Sequence, residues 1–284
     1  MAFLRRAQPL PIGLDIAASA VSIVVAELAR EGFVVRHAAT APVVPPEGEP
    51  LDRALADAIR SLVEAIGSRE RRCVLAVPQH DVVTRLFRLP PRMSRTEAER
   101  AATIEADGIV PWPTSERLVA LDAIPGYTRD MLLSIGRTSS IERSVAIARA
   151  AGLRPVAVDV PLCAWRRAAP DTDAVIDCSS ERVALTIFGT PLGSTHVFAP
   201  RLIEDRLLAQ IRSAFVDARR DGLADVQTIA LLGEPQRLAT LAEALGADGY
   251  RIARLDLGGE TSPTWAFAYG LATWSIAPRG LRVA

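Results

Sequence analysis

The sequence predicts an α/β protein of two domains, built from a repeated unit of strands and helices whose first copy carries a small inserted α+β subdomain. Two observations predict it. Short apolar runs of strand length alternate with helical periodicities along most of the 284 residues. The order strand, Asp, small-residue turn, strand, strand, helix also occurs twice, first from Ile12 and again from Ala174. With 49% hydrophobic residues the chain is long enough for two cores. The changes of pattern place a first domain at residues 1–165, its insert at about 82–153, and a shorter second domain at 166–284.

Ile12 to Ile16 is a short apolar run of buried-strand type, and Val21, Ile23 and Val25 alternate as a second strand after a small-residue turn. Phe33 to Arg36 supplies a third. Pro42, Pro45, Pro46 and Pro50 make Thr40 to Pro50 a loop. Leu51, Leu55, Ile59, Leu62, Val63 and Ile66 then recur at helical spacing until Gly67, and Cys73 to Val77 is another short strand.

The insert begins with alternation from Val82 to Leu89, broken by Pro90 and Pro91. Ser94 and Glu97 stand at capping-box spacing and open a helix that Pro111, Trp112 and Pro113 end. Strands follow at Leu118 to Ile124 and Met131 to Gly136, around a turn at Pro125 and Gly126. Ser139 or Ser140 is the expected cap of a helix running to Ala151, with Gly152 as its stop, and Val156 to Val160 resumes the buried-strand pattern. The second unit has strands Ala174 to Asp177, Val183 to Ile187 and Ser194 to Phe198, the last after a turn at Gly189 to Gly193. A helix at Leu202 to Arg219, a strand at Thr228 to Leu232 and helices at Gln236 to Leu245 and Pro263 to Trp274 complete it.

Composition removes several functions. Acidic and basic residues balance at 33 each, and aromatics are 5%, so neither a nucleic-acid field nor a base-stacking platform is present. Every basic residue is Arg, which excludes Schiff-base lysine chemistry and a P-loop lysine, and the absence of Asn excludes N-glycosylation. Cys73, Cys163 and Cys178 stand apart in apolar runs, as buried free thiols of a reducing compartment do. His37, His80 and His196 are scattered, which argues against a His or Cys metal site. Arg5 and Arg6 ahead of Ile16 to Ala26 imitate a secretory signal, but Pro9, Pro11 and Asp15 interrupt it, and no apolar run reaches membrane-spanning length. A cytoplasmic protein is expected.

The two acidic turns are the candidates for chemistry: Asp15 with Ile16, Ala17, Ala18, Ser19 and Ala20, and Asp177 with Cys178, Ser179 and Ser180. Small residues let backbone N–H groups approach a phosphate, and an Asp at the strand end can hold the shell of a magnesium ion. Two ordinary β-hairpins are the plain alternative. Trp112 is either a plug between two prolines or part of a recognition surface, whereas Trp165, Trp265 and Trp274 lie in helical apolar patterns of core type. The groups Arg69, Arg71 and Arg72, Arg166 and Arg167, and Arg219 and Arg220 are expected on a solvated surface, and Glu97, Glu99 and Glu105 in capping and solvation.

Gly13 Leu14 Asp15 Ile16 Ala17 Ala18 Ser19 Ala20 Val21 Ser22 resembles the GIDIGSSSVK start of the actin-like pilus assembly proteins of PilM type, related in fold to FtsA. Leu89 Pro90 Pro91 Arg92 Met93 Ser94 through Glu97, Ala102, Glu105, Ala106, Ile109, Pro111, Trp112 and Pro113 is similar to the family's LPxMSxxELxxAIxxEAExYIPFP, the more specific match. Ala150 to Asp159 is similar to its AGLxPxAVD. The resemblance implies an actin-like fold of duplicated ribonuclease-H-like domains, with Asp177 opening the second phosphate turn and Gly233 beginning the adenine-side glycine pair.

It further implies a site for ATP made of Asp15, Ala17, Ala18, Ser19, Ser22, Asp177, Ser179, Ser180, Gly233 and Glu234, with Asp15 and Asp177 near the metal if Mg-ATP binds. The departures weaken it. Ala17 and Ser179 stand where the family has glycine, Ser22 where it has a basic residue, and Glu234 where it has the second glycine. Each adds a Cβ where backbone touches phosphate or removes a neutralising charge, at about 1–3 kcal/mol apiece. The expectation is a scaffold with weak or absent nucleotide binding and no assigned catalytic base. By the resemblance its partner is the cytoplasmic tail of a PilN-like inner-membrane protein, which would hold the chain at the membrane within a pilus assembly complex. Two alternatives stand beside it: the cytoplasmic part of a GspL-like type II secretion component, disfavoured by the lack of a membrane helix before Ala284, and an active ATPase of the actin and sugar-kinase superfamily.

Overall fold

The computed structural model describes residues 8–29, 32–124, 126–179, 182–199, 204–233, 235–257, 260–261 and 264–274. The chain runs β1 (Gln8–Pro9), β2 (Ile12–Ile16), β3 (Ala20–Ala29), β4 (Gly32–Pro42), α1 (Leu51–Ala65) and β5 (Arg72–Ala76). The insert follows as β6 (Val82–Arg88), α2 (Arg95–Asp107), β7 (Arg117–Ala123) and β8 (Asp130–Arg137), and α3 (Thr138–Ala150), β9 (Arg154–Asp159) and α4 (Pro161–Ala168) close the first lobe. The second lobe holds β10 (Ala174–Ser179), β11 (Arg182–Ile187), β12 (Ser194–Phe198), α5 (Glu204–Arg220), β13 (Thr228–Gly233), α6 (Pro235–Ala247), β14 (Arg251–Ala253) and α7 (Ala266–Ala272).

The predicted repeat is present strand for strand. The first sheet runs β4-β3-β2-β5-β9, with β1 also on β3, and the second runs β12-β11-β10-β13-β14. In both, the first two neighbour pairs are antiparallel and the last two parallel. Each lobe buries the outer face of its sheet under helices, α1 and α3 in the first and α5 and α6 in the second. The inner faces share a third core: Val24, Ala26, Val74 and Ala157 from one sheet, and Val175, Ala230 and Leu232 from the other, close on α4 and α7. Trp165 of α4 and Phe267 of α7 meet there with ring centroids 4.9 Å apart.

Glycine makes that helix pair possible. A Cβ on Gly270 of α7 would overlap the Ala164 carbonyl of α4, and one on Gly13 of β2 would overlap the Ala268 carbonyl of α7. Backbone therefore touches backbone from β2 through α7 to α4. Arg167 of α4 fixes the geometry, donating to the Gly270 carbonyl at 2.8 Å while pairing with Asp159, which is fully buried at the end of β9.

The insert is a three-stranded sheet, β6-β8-β7, covered by α2 with its own core of Phe87, Ala98, Ala102, Leu121, Leu133 and Ile135. Ser94 and Glu97 form the expected capping box, and the bonds from Ser94 hold the Glu97 carboxyl below its ordinary range. Trp112 packs half-buried against this core, so it acts as the plug. Arg117 holds it there, donating to the Trp112 carbonyl at 3.2 Å and pairing with Asp107.

Several expectations need correction. The third strand runs to Pro42 rather than Arg36, because the small residues Ala38 to Ala41 pair well on an edge without alternating in hydropathy. Neither Ser139 nor Ser140 caps α3: Arg137 is the N-cap residue, without a side-chain cap bond, and Ser140 donates to Asp81 instead. Helix α4 was anticipated only as a helical apolar pattern around Trp165, without bounds, and the three-residue β14 was not anticipated. With only eight residues, α4 is too short for a sustained periodicity, although Pro161 at its first turn is a start signal. Helix α7 begins at Ala266; Pro263, its expected start, and Leu202, that of α5, lie outside the described residues.

Replacing Gly270 by Val should lower the unfolding free energy in urea by about 1–3 kcal/mol, since the helix crossing must open. Gly246→Ala on α6, where a new Cβ meets nothing within 4 Å, should raise it by about 0.4–1 kcal/mol. Equal effects at the two sites would contradict the crossing as the tight point.

Candidate functional site

Both acidic turns lie on the inner side of their sheets. Along β2 the alternate residues Ile12 and Leu14 enter the outer core, so Gly13 and Asp15 face α7 and the other lobe. Along β10, Ala174, Ile176 and Cys178 are in the outer core and Val175 in the shared one, which puts Asp177 on the inner face as well. Asp15 and Asp177 thus occupy equivalent places in the repeat, near the carboxyl ends of facing strands.

Their surroundings differ. Asp15 pairs in register with Ser22, and Ser22 with Thr40. The Ser22 hydroxyl is buried and lies 2.9 Å from that of Thr40, which lies 3.1 Å from that of Thr264, ahead of α7. Where a phosphate-binding cation is expected, a short hydroxyl relay instead ties the hairpin to the segment before α7. In the second lobe the corresponding row is Asp177, Ala184 and Val197, apolar beyond the acid. The first turn is closed by the Ala17 N–H donating to the Ala20 carbonyl at 2.9 Å, with Ala18 and Ser19 exposed.

A cavity of about 200 Å³ at this turn is lined by Ala17, Ala18, His80, Asp81, Ser140 and Arg143 among others, all of the first lobe. Gly233 has a positive φ of 127°, and a Cβ on it would overlap the Cys178 carbonyl; its glycine is required by the close approach of β13 to β10. Ser179 ends β10, while Ser180 and Glu234 lie outside the described residues.

Set against what a phosphate chain and a magnesium ion require, these residues fit poorly. Ala17 carries a Cβ, Ser22 carries no charge and is bonded to Thr40, and no group of three or more His, Cys, Asp or Glu able to hold a metal occurs among the described residues. The Asp159 carboxylate at the lobe junction is engaged by Arg167 and by the Val160 N–H at 2.8 Å. Burial pushes the Cys73 and Cys163 thiols up to about 12, which leaves them unreactive near neutral pH.

The larger concave surface lies elsewhere, between the insert and the rest of the molecule. A cavity of about 660 Å³ has one wall made by Gln79 and residues 82–86 of β6, and the other by residues 190–197 and α5. An adjoining cavity of about 280 Å³ sits between Tyr127 and Leu132 of the insert and Leu162, Cys163 and Arg166 of α4. Leu162 and residues 190–193 line both, so the two are continuous. Arg166 lies 4.8 Å from the ring centre of Phe188, and burial pushes its pKa down. Arg167, paired with Asp159, is structural, not the free surface group expected, whereas Arg166, like Arg69, Arg71, Arg219 and Arg220, is exposed. The trench was not foreseen, since its walls come from segments far apart in sequence; the one available signal was the apolar alternation of Val82 to Leu89 on a strand followed by no obvious partner.

A duplicated α/β fold with two acidic turns on facing inner sheets and two central helices defines the actin-like class of proteins. The chain matches the family described as type IV pilus assembly protein PilM over residues 13–195, and it belongs to that family. Among solved structures it is similar to a PilM-PilN type IV pilus biogenesis complex, at 20% identity and a TM-score of 0.73 over 94% of this chain and 99% of that one. It is also similar to the cytoplasmic domain of EpsL, an inner-membrane component of the type II secretion system of Vibrio cholerae, at 13% identity and 0.52 over 78% and 82%. No helix among the described residues is long and apolar enough to cross a membrane.

Asp159→Asn should destabilise the chain by about 3–5 kcal/mol in urea, because Arg167 is left buried without its counter-charge. A loss below about 1 kcal/mol would show that the pair does not fix the junction.

Proposed function

We propose that this chain is an adaptor of a type IV pilus assembly machine whose trench holds the N-terminal cytoplasmic tail of a PilN-like inner-membrane protein. In this reading residues 1–165, with the insert, and 166–284 are its two domains. The observation that carries the proposal is the continuous trench between the insert and α4, far larger than the cavity at the first acidic turn. The walls of its smaller part are apolar with a few polar groups, Tyr127, Leu132, Leu162 and Phe188 beside Asp122 and Arg166, and those of its larger part are mixed, with Thr84, Arg85 and His196 beside Leu86 and Val197, which suits a peptide and needs no catalytic residue. The similar PilM-PilN structure supports this choice of partner. Attachment through such a tail would place the protein at the cytoplasmic face of the inner membrane.

The nucleotide site is, in this proposal, degenerate: ATP and magnesium bind weakly or not at all, and hydrolysis is not the activity. The likeness to EpsL supports type II secretion as the second reading, and the choice of partner tail separates the two.

A synthetic peptide of the PilN-type tail encoded beside this chain should bind, and at a hundredfold excess over Kd should stabilise the fold by about 2.7 kcal/mol in thermal melts. Tyr127→Glu, at an exposed position in the trench, should weaken that binding about tenfold or more without changing the melting point of the free protein. No binding by the wild-type chain would overturn the adaptor role. Calorimetry with Mg-ATP should give a Kd weaker than about 1 mM, about −4.1 kcal/mol, and tight binding would instead restore the ATPase reading.

A further inference from the structure

No residue from 42 to 50, the loop between β4 and α1, lines the trench or the cavity at the first acidic turn, although four of those nine residues are proline. Pro42, Pro45 and Pro46 fix their φ at about −65°, and each pushes the residue before it out of the helical region. Pro42 to Pro46 is therefore an extended segment of polyproline type. Among the described residues no backbone hydrogen bond involves Val44 or Pro45, as in that conformation.

The segment is held at both ends. Val43 is 7% exposed in the outer core, and its N–H donates to the Ser19 carbonyl at 2.7 Å. At the other end the Glu49 N–H donates to the Pro46 carbonyl at 3.0 Å around Gly48, whose φ is 80°, and Glu49 pairs with Arg53 of α1 at 3.4 Å. A polyproline helix has three residues per turn, so with Val43 turned inward the edge of Pro42 and Pro45 and the edge of Val44 face out. Val44 is 85% exposed, more than any other large apolar side chain among the described residues, and Pro42, Pro45 and Pro46 are exposed beside it. An apolar side chain held so far into solvent by a stiff backbone gains when a partner covers it and gives up little conformational freedom.

Proline rings beside a branched aliphatic side chain fit the slots between aromatic rings, which is how polyproline segments are read. Charge sets the rest of the partner. Glu47 is exposed and forms no ion pair among the described residues, whereas Glu49 is engaged by Arg53. An anionic lipid surface would repel both acids, which turns the choice from a membrane to a protein. We infer that residues 42–47 are a docking segment for a second protein, one with a groove of Tyr or Trp rings that ends in an Arg or Lys. Pro42 and Pro45 enter neighbouring slots, Val44 packs on the rings between them, and Glu47 meets the cation. The segment lies on the first lobe beside α1 and the first hairpin, so this partner and a tail in the trench share no residue of the chain. The inference does not rest on the tail: it makes the chain a junction between two partners.

The test is photo-crosslinking of the full chain in its own cells, with a diazirine amino acid close to valine in size at position 44. The expected result is an adduct to one protein whose linked peptide carries Tyr or Trp, and its loss when Pro45→Gly and Pro46→Gly are combined. No adduct, an adduct to lipid or to a peptide without aromatic residues, or an adduct indifferent to the two prolines would overturn the docking segment. The captured protein, purified and titrated by calorimetry against the full chain, should bind Val44→Asp and Glu47→Arg about tenfold or more weakly than the wild type. Both positions are exposed, so the melting temperature of the free chain should not change. Equal affinity for the wild type and the variants would overturn the inference and leave the adaptor role standing. The tail peptide should bind both variants as it binds the wild type, and a fall in its affinity would contradict separate surfaces.

Discussion

Where α4 crosses α7, two helices approach until backbone meets backbone, and the rest of the molecule is arranged around that contact. Gly270 admits the Ala164 carbonyl and Gly13 admits the Ala268 carbonyl, so the first sheet, α7 and α4 stack without intervening side chains. Arg167 holds the stack by bridging the Gly270 carbonyl and the buried Asp159. Because α4 leaves β9 just beyond the insert, the same contact sets the insert against α4 and the second lobe. The trench is what remains between them.

The consequence for function is a division between the two concave regions. Asp15 and Asp177 stand at equivalent positions on the inner faces of the two sheets. Near them side chains hold the fold: Ser22 of β3 bonds to Thr40, and Asp159 at the end of β9 pairs with Arg167. The trench, in contrast, has the edge strands β6 and β12 on its walls, and the buried Gln79 NH2 group there has no hydrogen-bond partner among the described residues. A surface satisfied within the chain has little left to offer a ligand, whereas unpaired backbone and a buried donor have much to gain from one.

Much of the fold was legible because the repeat is written in local patterns. Ile12 to Ile16 and Ala174 to Asp177 each end a buried run in an acid and a small-residue turn, and Ser94 with Glu97 marks a helix start by spacing alone. What escaped was set by tertiary surroundings. Helix α4 has only eight residues, too few for a helical period to stand out, and it lies between two sheets. The serines at the start of α3 looked like caps, but Asp81 from a distant turn takes the Ser140 hydroxyl. The inner faces of Asp15 and Asp177 followed from strand alternation, while the trench joins Gln79, Leu162 and the 190–193 turn, which no local pattern could bring together.

The most direct measurement of the central claim is hydrogen–deuterium exchange on the full chain, alone, with the tail peptide, and with Mg-ATP. The account predicts that the peptide slows exchange along β6, β12 and the start of α4, and that Mg-ATP leaves the hairpins at Asp15 and Asp177 unchanged. Protection of those two hairpins by Mg-ATP, with no effect of the peptide on β6 or β12, would contradict it.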